Sequence, residues 1–148
     1  LAKSYFRRNY HSSSLLLPDG RILTSGGDVW NSEIFYPPYL FAKDINNKTI
    51  LAKRPEIIDV NRNIKRGIDQ NIKVKGDVSK VSLISTGSTT HAQGSESKFR
   101  NIEFEKVSND KIKIKLENNP NDLQNGNYLL FILDGKGTPS EGKIVFIN

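Results

Sequence analysis

The stretch Asn127-Tyr128-Leu129-Leu130-Phe131-Ile132-Leu133-Asp134 decides the fold of this chain. Its apolar part, residues 128–133, offers hydrophobic side chains to both faces of a strand, and the turn-forming pairs Asn125-Gly126 and Asp134-Gly135 bound it. A strand that is apolar on both faces is covered on both sides, as the central strand of a sheet is. The sequence therefore predicts a β-sheet built around residues 128–133.

Short strand patterns surround this run at roughly even spacing. Seven candidates, residues 128–133 included, fall at 56–59, 71–75, 80–85, 100–106, 111–116, 127–134 and 142–147. Seven strands in fewer than a hundred residues, separated by turns that contain glycine, aspartate or asparagine, favour an immunoglobulin-like antiparallel sandwich. No segment shows a helical period of useful length, so we predict an all-β chain.

The N-terminal third predicts a separate small sheet. Residues 12–17 form an apolar run, Pro18-Asp19-Gly20 forms a turn, and residues 21–25 return, which is the pattern of a hairpin. After Gly26-Gly27, residues 33–36 predict a third strand that Pro37-Pro38 stops. The polar stretch 43–53 lacks periodicity and is interpreted as a linker. The predicted division is therefore residues 1–42, a linker at 43–53, and a sandwich domain at 54–148.

Composition limits the classes of function. The 148 residues include 22 Lys and Arg against 16 Asp and Glu, a net charge of +6, but the lysines alternate with apolar residues at 111–116 instead of forming a basic patch with interleaved aromatics. We therefore expect no nucleic acid partner. No apolar run approaches the eighteen residues of a membrane span. There is no Cys for a thiolate metal site, and a chain that begins at Leu1 with no Met is expected to be the C-terminal piece of a longer protein.

The two histidines are the best clue to chemistry. His11 and His91 each stand beside a predicted strand or turn, and Tyr10 precedes His11. Imidazole is the commonest metal ligand, and a phenol oxygen beside two imidazoles favours Cu(II) or Ni(II) over a thiolate zinc site. The alternative is that each histidine is a hydrogen-bonded structural residue.

Several ordered motifs resemble one family. The N-terminal motifs are Arg8-Asn9-Tyr10-His11-Ser12, Leu15-Leu16-Leu17-Pro18-Asp19-Gly20-Arg21, Gly26-Gly27 and Pro37-Pro38-Tyr39-Leu40. The later ones are Val81-Ser82-Leu83-Ile84, Thr90-His91, residues 127–134 and Gly137-Thr138-Pro139-Ser140. Together they are similar to the last propeller blade and the C-terminal sandwich of the galactose oxidase and glyoxal oxidase family.

This resemblance implies a fold and an activity. Members are secreted copper radical oxidases in which a kelch-type β-propeller precedes an immunoglobulin-like early set domain, and they oxidise a primary alcohol or an aldehyde with O₂ to give H₂O₂. The residues that match Tyr10, His11 and His91 are copper ligands, and His91 would arrive on a loop that the sandwich pushes up the propeller channel. Tyr10 would also act as the base, because coordination to a dication favours loss of the phenol proton.

The resemblance also implies missing parts. The family's radical cofactor is a tyrosine cross-linked to a cysteine, and this chain has no Cys, so that cofactor would lie outside it, in an N-terminal propeller of the same protein. This chain alone is expected to be inactive. The substrate would be a small alcohol, an aldehyde or a carbohydrate.

Lys98 and Trp30 are two further residues of interest. Lys98 stands where the family commonly has arginine, which puts the docking of the His91 loop in doubt because lysine lacks the bidentate fork. Trp30 is interpreted as a packing residue in preference to a platform on which substrate stacks.

The alternative function is a non-catalytic early set domain on a propeller that binds glycans or proteins, with the histidines as relics.

Overall fold

The computed structural model describes residues 3–90, 93–95 and 98–148, with the backbone alone for residues 88–90 and 93–95. This part of the chain contains sixteen strands and one three-residue 3-10 helix, Pro38–Leu40, which lies between the third and fourth strands. The first eight strands are β1 (Ser12–Leu16), β2 (Ile22–Gly26), β3 (Ser32–Phe35), β4 (Phe41–Lys43), β5 (Thr49–Leu51), β6 (Glu56–Val60), β7 (Asn63–Ile64) and β8 (Asp69–Lys75). The rest are β9 (Lys80–Ser85), β10 (Ser88–Thr90), β11 (Gln93–Ser95), β12 (Phe99–Ile102), β13 (Phe104–Ser108), β14 (Lys111–Lys115), β15 (Gly126–Leu133) and β16 (Lys143–Ile147).

Two sheets form the sandwich. One has the order β12-β9-β15-β16-β7, and the other has the order β13-β14-β8-β6. All pairings are antiparallel except that of β16 with β7, which is parallel. The predicted all-β sandwich is confirmed, and the predicted central strand, now β15, is the third of five.

The core lies between these two sheets. Alternation places Ile112 and Ile114 inside while the flanking lysines of β14 point outward. Leu83 and Leu130 from the facing sheet are completely covered. The buried cluster also includes Ile57, Ile64, Ile72, Val74, Val78, Val81, Leu116, Leu123, Tyr128, Ile132, Val145 and Ile147.

One predicted strand is two strands. The sequence predicts a single strand at 100–106, but β12 pairs with β9 in one sheet and β13 pairs with β14 in the other. Only Glu103 separates them. Ile102 and Phe104 both pack against the core, one from each sheet, so the chain turns the corner of the sandwich at Glu103. The single-strand prediction was wrong at this point.

The stretch interpreted as a linker, residues 43–53, includes most of a hairpin. Strands β4 and β5 pair in register from Phe41 and Leu51 to Lys43 and Thr49. The turn between them forms because the Asp44 carboxylate accepts the backbone N–H groups of Asn46 and Lys48, at 2.9 and 2.8 Å. The domain boundaries at 42 and 54 stay a prediction.

The N-terminal sheet consists of β1, β2 and β3 in that order, all antiparallel. These are the three strands that the sequence predicts there. In the part of the chain that is described, no helix has the length and hydropathy needed to cross a bilayer.

Candidate metal centre

Tyr10 and His11 form the middle of a tight turn that leads into β1. The backbone N–H of Ser12 donates to the carbonyl oxygen of Asn9 at 3.2 Å and closes the turn. His11 has a φ of 63°, and among the described residues the only other non-glycine with a positive φ is Asn47. This conformation costs an L-residue about 1–2 kcal/mol, and histidine is among the side chains that adopt it more often than most. The turn therefore holds His11 in a conformation that most side chains avoid.

The glycine pair after β2 allows this turn to approach. A Cβ added to Gly26 would lie 2.5 Å from the carbonyl oxygen of His11, so only glycine fits there. Gly27 faces the backbone N of Asn9, where a Cβ would lie at 3.3 Å. Gly26-Gly27 therefore brings the end of β2 against the Tyr10-His11 turn.

Arg8 fixes the segment before the turn. Its side chain is 6% exposed, and its Nη1 donates to the carbonyl oxygens of Gly26 and Asn31 at 3.0 and 3.1 Å. Its Nη2 donates to Asn31 Oδ1 at 2.8 Å and pairs with Glu33 Oε2 at 3.1 Å. One guanidinium thus ties the N-terminal segment to the end of β2, to the following loop and to β3.

Glu33 extends this network. The hydroxyl of Ser4 and the backbone N–H of Tyr5 both donate to its carboxylate at 2.8 Å. The Ser4 hydrogen bond, followed by that of Tyr5 and the pairing with Arg8, lowers the pKa of Glu33 from its usual value. The carboxylate form is therefore part of what holds the segment in place.

The two donor side chains of the turn lie side by side. The rings of Tyr10 and His11 have their centroids 3.8 Å apart at an angle of 35°, and Tyr10 is 64% exposed. A side chain with an oxygen donor thus lies against one with nitrogen donors, and these residue types fit a metal that accepts N,O ligands. The described residues contain no group of three or more His, Cys, Asp or Glu side chains able to hold a metal.

The third predicted ligand, His91, lies outside the described residues. Its neighbours in the chain belong to β10 and β11, which pair as a hairpin from Ser88 and Ser95 to Thr90 and Gln93. This hairpin lies beside β1. The structure therefore brings the chain segments on either side of His91 next to the strand that begins at the Tyr10-His11 turn.

Lys98 makes local contacts. Its Nζ donates to Gln124 Oε1 at 2.9 Å, and its backbone N–H donates to Ser85 Oγ at 2.6 Å. Lys98 thus fastens the base of the hairpin to the sandwich itself.

Trp30 does not pack as predicted. It is fully exposed, at 105% of the reference area, so the described residues offer it no apolar contact surface. The prediction of a packing residue fails within this chain.

The sequence predicts no structural role for Arg8, or for Arg54, whose guanidinium donates to the backbone carbonyl oxygens of Asp19, Pro139 and Ser140. Arg8 occurs in a quoted motif, whereas Arg54 stands only at the predicted start of the sandwich domain. A signal for Arg8 exists in the sequence, because an arginine two residues before the candidate turn needs acceptors, and Asn31 and Glu33 lie on the next loop and strand. Arg54 gave no such signal, since its acceptors are backbone carbonyls.

The chain is similar to several known proteins. The family description galactose oxidase-like, early set domain, matches residues 54–147. Galactose oxidase of Gibberella zeae is 30% identical over 95% of this chain and 22% of its own length. The aldehyde oxidase GLOX of Vitis pseudoreticulata is 30% identical over 57% of this chain and 18% of its own length.

A solved structure has the same fold along nearly the whole chain. It is a fungal alcohol oxidase of the AA5 family in complex with copper, with a TM-score of 0.85 and 22% identity over 99% of this chain and 32% of that one. The chain thus spans about a fifth of the galactose oxidase and about a third of the solved oxidase. On the match of residues 54–147, this chain belongs to the galactose oxidase-like early set domain family.

Proposed function

We propose that this chain supplies part of the metal site of a secreted copper radical oxidase that converts a primary alcohol or an aldehyde to its oxidised product while O₂ becomes H₂O₂. The observation that carries the proposal is the Tyr10-His11 turn, in which the phenol and imidazole rings lie side by side and His11 has a positive φ. The similarity to galactose oxidase over 95% of the chain supports it.

Three residues would hold the copper. His11 and His91 would give imidazole nitrogens and Tyr10 a phenol oxygen, a set that suits a metal cycling between two oxidation states. The position of the β10–β11 hairpin beside β1 supports a site shared between His91 and the Tyr10-His11 turn. The copper, when bound, supplies one-electron chemistry and a positive charge near the reacting oxygen.

Tyr10 would handle the proton. As a phenolate, its oxygen would accept the hydroxyl proton of an alcohol substrate. The second proton and two electrons leave the substrate carbon, and both protons and both electrons reduce O₂, so one alcohol and one O₂ give one aldehyde and one H₂O₂. The Tyr-Cys cofactor and most substrate contacts would come from an N-terminal propeller of the same protein.

The test uses the full-length protein and three variants. His11→Ala keeps the positive-φ backbone cost and removes the imidazole, whereas His11→Gly removes the imidazole and relieves the backbone. Asn47→Gly is the matched control, because Asn47 has a φ of 61° in the turn of the β4–β5 hairpin. Because Asn47-Lys48-Thr49 fits the N-glycosylation sequon, all variants are made in bacteria so that Asn47 carries no glycan.

We expect both His11 variants to lose tight copper binding and H₂O₂ production. His11→Gly should retain or raise the melting temperature of the metal-free protein, as should Asn47→Gly, which keeps its copper. Copper should raise the wild-type melting temperature through linkage, and this increment should vanish in the His11 variants. An undiminished copper increment in His11→Ala would refute the metal role and favour the non-catalytic binding domain.

A further inference from the structure

The joint between the N-terminal sheet and the sandwich is built on one arginine. Arg54, partly buried, directs its guanidinium at three backbone carbonyl oxygens. Nη1 donates to Asp19 at 2.7 Å, Nε donates to Pro139 at 2.7 Å, and Nη2 donates to Ser140 at 2.6 Å. Asp19 lies in the turn between β1 and β2, whereas Pro139 and Ser140 lie in the loop between β15 and β16. One planar group therefore links two regions that are more than a hundred residues apart in sequence.

The loop that receives Arg54 is rigidly formed. The Asp134 carboxylate accepts the backbone N–H groups of Lys136 and Thr138, at 2.9 and 2.8 Å. The side chain of Ser140 is completely buried and accepts the N–H of Ile132 at 3.1 Å, while its own N–H donates to the carbonyl oxygen of Ile132 at 2.7 Å. The motif at 137–140 thus fixes the direction of the two carbonyls that Arg54 binds.

The turn on the other side is fixed as well. The hydroxyl of Tyr39 donates to the carbonyl oxygen of Gly20 at 2.6 Å, and the N–H of Gly142 donates to the carbonyl oxygen of Pro18 at 2.7 Å. A Cβ on Gly20 would lie 3.3 Å from Nη2 of Arg54, so the guanidinium sits directly against the turn. Glycine at position 20 keeps this space open.

The charge of Arg54 suits this place. Burial lowers its pKa from the usual value, and the carboxylates of Glu141 and Asp19 counteract that effect. The five N–H groups of a guanidinium lie in a fixed plane, so they can aim at carbonyls of two separate loops at once. A lysine has the charge but lacks that planar fork.

We propose that Arg54 is a positioning residue for the copper site: by clamping the Pro18–Gly20 turn to the carbonyls of Pro139 and Ser140, it sets how the Tyr10-His11 turn meets the β10–β11 hairpin. This inference rests on the proposed function. The clamp and the Tyr10-His11 turn lie at opposite ends of β1, roughly 23 Å apart at the rise of a strand. A tilt of about 5° at the clamp would move the far end by about 2 Å, which is the length of a metal–imidazole bond.

The experiment compares two arginines in the full-length protein. Arg66 is the matched control, because it is also partly buried and its Nη1 donates to a backbone carbonyl, that of Leu123, at 2.9 Å. Its contacts stay within the sandwich, with Nη2 donating to Asn125 Oδ1. The variants are Arg54→Ala, Arg54→Lys and Arg66→Lys, and Tyr39→Phe serves as a mild second change at the same joint.

Copper affinity is measured by competition with a chelator. The Cu(II) electron paramagnetic resonance spectrum is recorded as the metal-free protein is titrated with copper. Stability is measured as the melting temperature of the metal-free protein. Arg54→Ala should weaken copper binding by about 10- to 100-fold, the range for residues that orient ligands, and should alter the nitrogen hyperfine pattern. Arg54→Lys and Tyr39→Phe should change both in the same direction by less. Arg66→Lys should lower the melting temperature while leaving affinity and spectrum as in the wild type.

The outcomes separate the two proposals. Copper affinity and spectrum unchanged in Arg54→Lys and Tyr39→Phe, with a lower metal-free melting temperature, would make Arg54 a structural residue and overturn the inference while the proposed function stands. Wild-type protein that binds no copper would remove the proposed function and the inference with it.

Discussion

The sandwich and the N-terminal sheet are both antiparallel, yet they bury their side chains very differently. In the sandwich, Ile64, Ile72, Leu83 and Leu130 are completely covered. In β1, β2 and β3, no residue reaches that degree of burial, and every side chain is half-buried or exposed. The sandwich therefore encloses its own core, whereas the N-terminal sheet is held by polar bonds and by the Arg54 joint.

One region therefore provides most of the stability, and the other carries the candidate metal ligands Tyr10 and His11. The enclosed core stabilises the platform through the hydrophobic effect, and the region with the candidate ligands depends on that platform for its position. Changes in the sandwich should therefore affect both regions, while changes in the N-terminal sheet should leave the sandwich folded.

The largest effect is expected from Leu130→Ala. Leu130 lies in the central strand β15 with no exposed surface, so its truncation leaves a cavity and should lower the free energy of unfolding by about 2–5 kcal/mol. Ile144→Ala on β16, where the side chain is 54% exposed, is the control and should cost far less. Urea unfolding of both variants measures this, and equal losses would contradict an enclosed core.

Gly142→Ala should have the next largest effect, because it acts on the joint. An added Cβ would lie 2.7 Å from Cζ of Phe131, so the ring must move, at a cost of about 1–3 kcal/mol. Gly135→Ala is the control, since a Cβ there meets Ser79 Oγ at an ordinary 3.5 Å. Thermal unfolding should show a lower melting temperature for Gly142→Ala alone. A tolerated Gly142→Ala would show that the joint is looser than the contacts indicate.

Arg8→Lys should loosen the N-terminal sheet without unfolding the sandwich. Lysine cannot reproduce the fork that binds Gly26, Asn31 and Glu33, and the local loss should be about 1 kcal/mol. Amide hydrogen exchange should accelerate in residues 8–33 and stay unchanged in β15. Faster exchange in β15 as well would mean that the two regions open together.

The smallest effect is the response to acid. Because hydrogen bonds from Ser4 and Tyr5 and the pairing with Arg8 lower the pKa of Glu33, its contribution is present above the pKa of the unfolded chain. It is lost as the pH falls through the lowered pKa, which lies below the usual value of a glutamate. The hydrogen-exchange rate of the Tyr5 amide, corrected for its intrinsic rate, should rise as the pH falls through this range. Glu33→Gln should abolish the pH dependence, and a retained dependence would assign it to another carboxyl group.

The sandwich could be predicted because its signals are local. The apolar run at 128–133 and the alternation of lysine with isoleucine in β14 each identify a strand without knowledge of its partners. The split at Glu103 could not be predicted, because residues 99–108 carry continuous strand character and only the position of two sheets decides where the chain crosses.

The candidate site was predictable by residue type and not by geometry. Tyr10 and His11 are identified by adjacency and resemblance, whereas the positive φ of His11 and the close approach of Gly26 to its carbonyl oxygen are visible only in the structure. The Arg54 joint depends on acceptors 85 and 86 residues further along the chain, and backbone carbonyls leave no trace in a sequence.

The pairing register of the β10–β11 hairpin limits how the length of the hairpin can change in evolution. Ile84 pairs with Phe99 and Ser88 pairs with Ser95, so the hairpin keeps the register of the β9–β12 ladder as it extends away from the sandwich. Each residue pair added to such a ladder advances its tip by about 3.4 Å, and a single added pair also turns the tip to the opposite face. Insertions or deletions that preserve the orientation of the tip must therefore come in steps of two residue pairs, so the length of the hairpin can change only in steps of about 7 Å.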